Sequence, residues 1–492
     1  MTERGVHYHL DFYASVLHMR GDNLTTQPLV RDGDVFLWNG EVFDGLEVSP
    51  HENDGQKLFD QIQHYGPSRF FAAIRDVEGP YAFVFYQAST ERIYFARDPL
   101  GRRSLLFHLP TPDSPAFLLA STAPVGDSPP QDWTEVATDA VHCIDLRGGD
   151  PLSSLQSRTC FSSTARRPKS MRNESDDTLI YPYDPLVTTL PRFDDLTPPS
   201  PLDPTEPVVT PQLAQLVESF LIELKRAMRA RVVTIPPFPA PPDARVAVLF
   251  SGGLDCTVLA VVLDRVLPEG EAIDLITVAF ENPRKLKAQN GLGGKGKDKA
   301  SPVEAQDEVP PLDPPVNSEI YDVPDRITAR SSWQELKRLR PERRWNLVEV
   351  NVPYREMLEH RQKVIDLMKP QRTVMDLHDW AALLAELQLD VDRLPTRNLG
   401  RDDRVISSHG KEARYPYLAA HVVDFLAHVP VWLKADYRFR EGVGEKMLLR
   451  LLAKRLGLVR AASLLKKAIH FGVNTAKMEL AAGRSKGTDL LP

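Results

Sequence analysis

Cysteine is scarce. The 492 residues contain only Cys143, Cys160 and Cys256, an odd number set far apart, which excludes a disulfide framework and a cysteine-based zinc site and fits a reducing compartment. No apolar run approaches the ~18–20 residues needed to span a bilayer, and the opening MTERGVHYHL has no apolar signal core. This reading excludes a membrane partner and makes the chain soluble and cytoplasmic. An excess of basic charge is also lacking. Sixty Lys and Arg against 67 Asp and Glu leave a net charge of −7, which is no footprint for nucleic acid. No G-x-x-x-x-G-K-[ST] string occurs, so a Walker A loop is excluded.

Proline is plentiful: 42 in 492 residues against a usual share of ~5%, so part of the chain reads as linker. The length suggests two or three domains of about 100–200 residues each. From Asp11 to Asp145 short apolar or alternating runs (FYASVLHM, VFLWNGEVF, YAFVFYQ, RIYFA, SLLFHL) read as strands of a mostly antiparallel sheet, with helices at HENDGQKLFDQIQHYG and SRFFAAIRDV. This predicts an α+β N-terminal domain. Residues 150–208 are crowded with Ser, Thr, Pro and Asp and read as a tether.

Beyond the tether the pattern changes. PQLAQLVESFLIELKRAMRARV has apolar positions at helical spacing, ARVAVLF is an apolar strand, CTVLAVVLDRVL a helix and AIDLITVAF another strand. Strand, helix, strand predicts an α/β domain with a parallel sheet. A Gly/Lys/Pro-rich insertion at 284–315 reads as disordered. Its Gly291-x-Gly293-x-x-Gly296 matches a dinucleotide fingerprint only formally, since no helix follows it. After it DRITARSSWQELKRLRP predicts a helix and WNLVEVNV a strand.

The most informative string is VAVLFSGGLD, where a buried strand runs into Ser251, Gly252 and Gly253 and then into a helix starting at Leu254 and Asp255. Paired glycines let backbone approach a ligand, and a helix N-terminus presents free N–H groups to phosphate. A carboxylate beside a phosphate repels it unless Mg²⁺ lies between, so Asp255 points to a metal-complexed nucleotide. In the first domain, Asn39-Gly40-Glu41 follows one strand, and Arg97-Asp98 precedes Gly101. Alone, each reads as a strand-ending turn.

The SGGLD spacing resembles the SGGxDS signature of the ATP pyrophosphatases, with Cys256 in place of the last serine. In their order, NGE, RDPLG, SGGLD, YDVPDRITAR, EARYPYLAAHVVDFL and GVGEKMLLRLLAKRLGL resemble a class II glutamine amidotransferase domain joined to an asparagine synthetase domain. The resemblance covers nearly the whole chain outside the tether and the insertion. It implies a glutamine amidotransferase type 2-like domain at 1–149, a linker at 150–208, an asparagine synthetase-like domain at 209–480 and a tail at 481–492. It further implies that Asn39 and Gly40 form an oxyanion hole and that Glu41 helps hold glutamine's α-amino group. Phe250 and Val278 would flank adenine and ribose, and Ser251 to Asp255 would hold the phosphates of ATP with Mg²⁺ at Asp255. Lys466 or Lys467 would assist the acyl-phosphate chemistry. The implied reaction is ATP-dependent amidation of aspartate through an aspartyl-adenylate, with glutamine or ammonia as nitrogen source.

Two features depart from the family pattern. The amidotransferase nucleophile is a cysteine at the mature N-terminus, whereas this sequence starts Met1-Thr2. A second Gly-rich element, S-G-x-G-x-D-E, is due between MKPQRTVMD and LQLDVDRLPTRNLGRDD, where LHDWAALLAE stands instead. A helix with Trp380, Leu383, Leu384 and Leu387 on its apolar face is expected there, lying across the sheet. These departures leave an alternative: a catalytically inactive family member that acts by binding or regulation, or a truncated gene model of the active enzyme.

Overall fold

In the computed structural model the described residues are all but 1–8, 125–131, 148–150, 173–176, 190, 236–243, 282–317, 369–387, 389–390, 396–398 and 466–492. The expected helix around Trp380, the insertion with Gly291, Gly293 and Gly296, and Lys466 and Lys467 lie outside them. Among the described residues no helix is long and apolar enough to cross a membrane.

Alternating sequence makes the N-terminal sheet. Strands β1 (Leu29–Arg31), β2 (Asp34–Gly40), β3 (Tyr81–Gln87) and β4 (Arg92–Arg97) pair antiparallel in that order. Helices α1 (Asp54–Tyr65) and α2 (Phe70–Ile74) lie between β2 and β3 in sequence. The β2–β3 register sets Phe36 opposite Phe85 and Trp38 opposite Phe83. With Phe59 of α1, Phe70 of α2 and Tyr94 of β4 these rings make the core, with centroids 5.7 Å apart for Phe36 and Phe59 and 4.7 Å for Phe70 and Tyr94. The start of α1 is set by Asn53, whose side chain accepts from the Gln56 N–H.

Three short strands, β5 (Leu106–His108), β6 (Leu118–Ala120) and β7 (Thr134–Glu135), form a separate sheet in the order β6-β5-β7. Strand β8 (Ala140–Asp145) then returns to pair with β4. Two expectations need correction. FYASVLHM, read as a strand, belongs to none of the ladders among the described residues. Part of the stretch read as a tether is structured: after helix α3 (Pro151–Gln156), strand β9 (Phe161–Ala165) pairs with β8 as the sixth strand of the large sheet. Cys143 is buried in β8, and Cys160 stands at the entrance to β9.

The second domain opens with α4 (Pro211–Val232), capped by Thr210 and carrying proline at its first position. Then come β10 (Ala247–Leu249), α5 (Leu254–Asp264), β11 (Ile273–Phe280), α6 (Pro324–Leu339) and β12 (Trp345–Val352), giving a parallel sheet ordered β10-β11-β12. The chain continues through α7 (Tyr354–Met368), α8 (Leu399–Ser407), α9 (Ala420–His428), α10 (Val431–Lys434), α11 (Met447–Arg455) and α12 (Val459–Ala462). Along β11, Ile273, Leu275, Thr277 and Ala279 are buried. The first two join α4, α5, α6, α9 and α11 in one apolar core. The other face of the sheet is open: Leu249 is 71% exposed, and Val348 and Val350 are exposed as well.

Both domains meet across buried arginines. Arg97 donates to the carbonyl of Pro395 (3.1 Å) and Arg102 to that of Leu418 (2.8 Å). Arg103 pairs with Asp403 (2.9 Å) and with Glu412. Asp98, fully buried at the end of β4, accepts from the N–H groups of Tyr81, Leu100 and Arg102 and from the Arg102 Nε (2.9 Å). This carboxylate holds the turn that aims Arg102 and Arg103 at the second domain. Asp98→Ala leaves a buried guanidinium short of its partner and is expected to cost about 3–5 kcal/mol, read as a lower midpoint in chemical denaturation.

Candidate functional site

The loop after β10 is shaped by one tight contact and one open side. Phe250 is buried, its N–H bonded to the Ile276 carbonyl (2.7 Å). Val278 stands two residues further along β11, half-buried, beyond the end of β10. Gly252 has φ +75°, and a Cβ there would lie 2.5 Å from the backbone of Ala329 on α6, whose Ser332 hydroxyl donates to the Gly252 carbonyl (2.7 Å). This glycine is required twice over, by its left-handed conformation and by the close approach of α6. Among the described residues, a Cβ at Gly253, the N-cap of α5, would meet only the Ser251 hydroxyl at 3.4 Å, so on that count its outer side is open. Cys256 turns inward, donating to the Gly253 carbonyl (3.3 Å) and lying 3.7 Å from Ser251 Oγ, and burial pushes its thiol pKa up.

Asp255, in the first turn of α5, is half exposed, and both carboxylate oxygens lie 2.7 Å from the Lys446 ammonium. Lys446 itself adopts φ +55° and ψ +34° just before α11, a left-handed conformation that costs a non-glycine residue roughly 1–2 kcal/mol. The backbone beside it is fixed by a buried pair. Arg450 donates to the Glu445 carboxylate (2.6 Å) and carbonyl (2.7 Å), while the same carboxylate accepts from the Gly442 N–H. The loop thus combines free backbone at a helix N-terminus, one carboxylate and one ammonium, a donor set that fits a phosphate and a divalent cation. Lys466 and Lys467, expected by resemblance to assist the acyl-phosphate chemistry, lie outside the described residues, and Lys446 was not singled out from the sequence. Its signal was the G-V-G-E-K turn ahead of an apolar helix.

The other candidate motif is closed from the second domain. Asn39 and Gly40 end β2, both half-buried. The Glu41 N–H bonds the Pro80 carbonyl (2.9 Å), so antiparallel alternation turns the Gly40 N–H away from β3. Glu41 is only 1% exposed. Its carboxylate accepts from Arg414 Nη2 (2.6 Å) and Nε (2.8 Å), with Arg20 Nε at 3.7 Å. Arg414 also donates to the Arg231 carbonyl (2.6 Å). The Arg20 and Arg231 guanidinium groups both lie over the Phe43 ring, and burial lowers the Arg231 pKa to about 10. The carboxylate expected to receive glutamine's ammonium is therefore occupied by a guanidinium from the second domain.

The two motifs are joined through Tyr417, whose hydroxyl donates to the Asp255 carbonyl (3.1 Å), three residues after Arg414. The strongly perturbed acid of this interface is Glu412. Burial, opposed by Arg103 and reinforced by Glu41 and Asp403, pushes its pKa up to about 7.

A parallel sheet with a glycine-rich strand-to-helix loop after its first strand, docked on an antiparallel α+β domain, defines the class. Residues 293–484 match the family model Asparagine synthase, so this is an asparagine synthase domain protein. The chain is 32% identical to Asparagine synthetase domain-containing protein 1 of Bos taurus, over 96% of this chain and 90% of that one. Its identity to the Homo sapiens protein of the same name is also 32%, over 97% and 90%. The Saccharomyces cerevisiae Asparagine synthetase domain-containing protein YML096W is 28% identical over 98% and 87%. The chain belongs to the family of asparagine synthetase domain-containing protein 1. The cattle alignment spans 577 positions, more than the 492 residues here, so that relative carries stretches opposite gaps in this chain. Among solved structures, the allosteric regulatory enzyme of purine biosynthesis overlaps 54% of this chain and 59% of its own at 14% identity. Glutamine phosphoribosylpyrophosphate amidotransferase from B. subtilis overlaps 51% and 57% at 15% identity. Their TM-scores of 0.22 and 0.21 are too low to carry weight.

Two outcomes test this geometry. Gly252→Ala is expected to cost about 2–5 kcal/mol from left-handed strain and overpacking against α6, whereas Gly253→Ala should stay within about 1 kcal/mol. Thermal denaturation separates the two. For Glu412, the native carboxyl holds its proton up to about 7 against 4.5 in the unfolded chain. Its contribution is therefore full below the unfolded pKa and is lost as pH rises toward and through 7. The melting temperature of Glu412→Gln relative to wild type should accordingly climb between pH 5 and pH 8.

Proposed function

We propose that the second domain binds ATP·Mg²⁺ at Ser251–Asp255 and activates a carboxylate as its adenylate, with aspartate as substrate and ammonia as nitrogen source. The observation that carries this reading is the open Gly253 at the head of α5, flanked by the Asp255 carboxylate and the Lys446 ammonium. The outer side of Gly253 leaves room for phosphate against free backbone N–H groups. An exposed ion pair is worth little, about 0–1 kcal/mol, so Lys446 can leave Asp255 for phosphate oxygens and free the carboxylate toward a cation. Mg²⁺, held by Asp255 through ATP, would neutralise phosphate charge. The substrate carboxylate would attack the α-phosphorus as the bond to the β-phosphate breaks and pyrophosphate leaves. Ammonia would then attack the acyl carbon and expel AMP. Phe250 and Val278 would border the nucleoside.

A second reading has its own support. Glu41 is paired with Arg414, and Cys256 stands where the signature has a serine, which favours a family member that binds nucleotide without amidation and without using glutamine. Isothermal titration with ATP·Mg²⁺ tests the shared part. Asp255→Ala and Lys446→Ala are each expected to weaken binding about ten-fold, and Cys256→Ser to leave it equal or tighter. Equal binding by wild type, Asp255→Ala and Lys446→Ala refutes the loop as a phosphate site. Aspartate-dependent exchange of pyrophosphate into ATP then separates the enzyme from the binding protein.

A further inference from the structure

At 184–187 the segment between the two domains is fastened along α9. The Asp184 N–H donates to Asp424 Oδ1 (3.0 Å) and the Val187 N–H to the Ala427 carbonyl (2.9 Å). Asp424 and His428 stand four residues apart on that helix, so their side chains share one face. With Asp184 beside them, one carboxylate oxygen of each aspartate and one ring nitrogen of His428 lie within 4.8 Å of one another. Neither candidate motif uses any of the three.

The orientation of the imidazole decides what this group can hold. Nδ1 of His428 lies 2.8 Å from the Asp424 carbonyl, an oxygen that can only accept, so Nδ1 carries a proton. A neutral ring then turns the bare Nε2 lone pair on Asp184 Oδ2 at 3.2 Å, and two acceptors so placed repel each other unless a cation lies between them. A second ring proton could fill that place, but a charge-assisted N–H···O contact closes to ~2.7–2.9 Å. The observed separation is nearer the ~3.4 Å edge of a tetrahedron whose centre lies ~2.1 Å from each ligand. A backbone carbonyl on the second ring nitrogen is also the support that orients metal-bound histidines.

We propose that Asp184, Asp424 and His428 form a site for a divalent cation of the zinc class, which clamps the interdomain segment to α9. One imidazole nitrogen and two carboxylate oxygens supply three ligands, and water takes the fourth position on the side where His428 is 56% exposed. Mg²⁺ prefers oxygen ligands in an octahedral shell, which separates this site from the one read at Asp255. Lys169 is the competitor, because its ammonium pairs with Asp424 Oδ2. Asp424 Oδ1, with one N–H bond, keeps a lone pair for the metal.

Calorimetric titration of the full chain with Zn²⁺, in Mg²⁺-containing buffer without nucleotide, tests the site. Wild type is expected to bind zinc and to gain about 2 °C or more in melting temperature at a hundred-fold excess over the dissociation constant. Asp184→Asn and His428→Ala should each weaken binding about ten-fold or more. His409→Ala, at an exposed histidine elsewhere in the domain, should bind as wild type does. Lys169→Ala removes the competing ammonium and should tighten binding about three-fold, a readout that a poorly folded ligand variant cannot mimic. The proposal is overturned if wild type and His428→Ala bind zinc alike, which would put the ion elsewhere. It is overturned as well if Lys169→Ala weakens binding. No zinc binding by wild type also overturns it, and leaves His428 as a protonated bridge between two carboxylates.

Discussion

A guanidinium withdrawn from water costs several kcal/mol unless carboxylates or carbonyls take its N–H groups. Arg97, Arg102, Arg103, Arg404 and Arg414 all meet that requirement across the boundary between the domains. Arg404 of α8 donates to Ser104 and Glu135 of the first domain (2.8 Å each) while its Nε holds the Leu367 carbonyl (2.6 Å). Asp403, one residue before it, accepts from Arg103 and from the Ser104 N–H. Arg103 and Arg414 find their carboxylates only on the opposite domain, whereas Arg97 and Arg102 add one bond across the boundary to several within their own. The domain boundary is in this sense a shared polar core, and the position of each candidate motif depends on it.

That dependence explains why the two motifs differ in character. The loop at 251–255 is shaped within its own domain, by α6 packed on Gly252 and by the Glu445–Arg450 pair that fixes the backbone next to Lys446. Its ion pair faces water and can be exchanged. The Asn39-Gly40-Glu41 turn is completed from outside, because the charge that neutralises Glu41 sits on the other domain. An exposed pair permits ligand entry, whereas a buried one resists it.

Local pattern made much of the fold legible. The apolar run YAFVFYQ and the helical spacing of PQLAQLVESFLIELKRAMRARV produced elements with those bounds, and the glycines of SGGLD marked the strand-to-helix turn. FYASVLHM misled because a hydrophobic run names no ladder partner, and here none of its residues is even buried, Tyr13 standing 87% exposed. Phe161–Ala165 was hidden by its Ser and Thr content, since an edge strand exposed along most of its length needs no apolar face. The partners of Glu41 and Asp255 were illegible for another reason. Arg414 and Lys446 lie 373 and 191 residues away, and no local periodicity encodes which distant charge will meet a given carboxylate.

Those separations have a consequence for synthesis. Arg103 is made early, but the carboxylates that take its guanidinium, Asp403 and Glu412, lie 300 and 309 residues later in the chain, and Arg97 and Arg102, otherwise bonded within the first domain, each wait on one carbonyl from that later stretch. At about 5–20 residues per second on the ribosome, the first sheet waits on the order of 15–60 s with these side chains hydrated. The N-terminal domain therefore cannot reach its final packing as it emerges. It must persist as a partly finished body until the last third of the polypeptide is available.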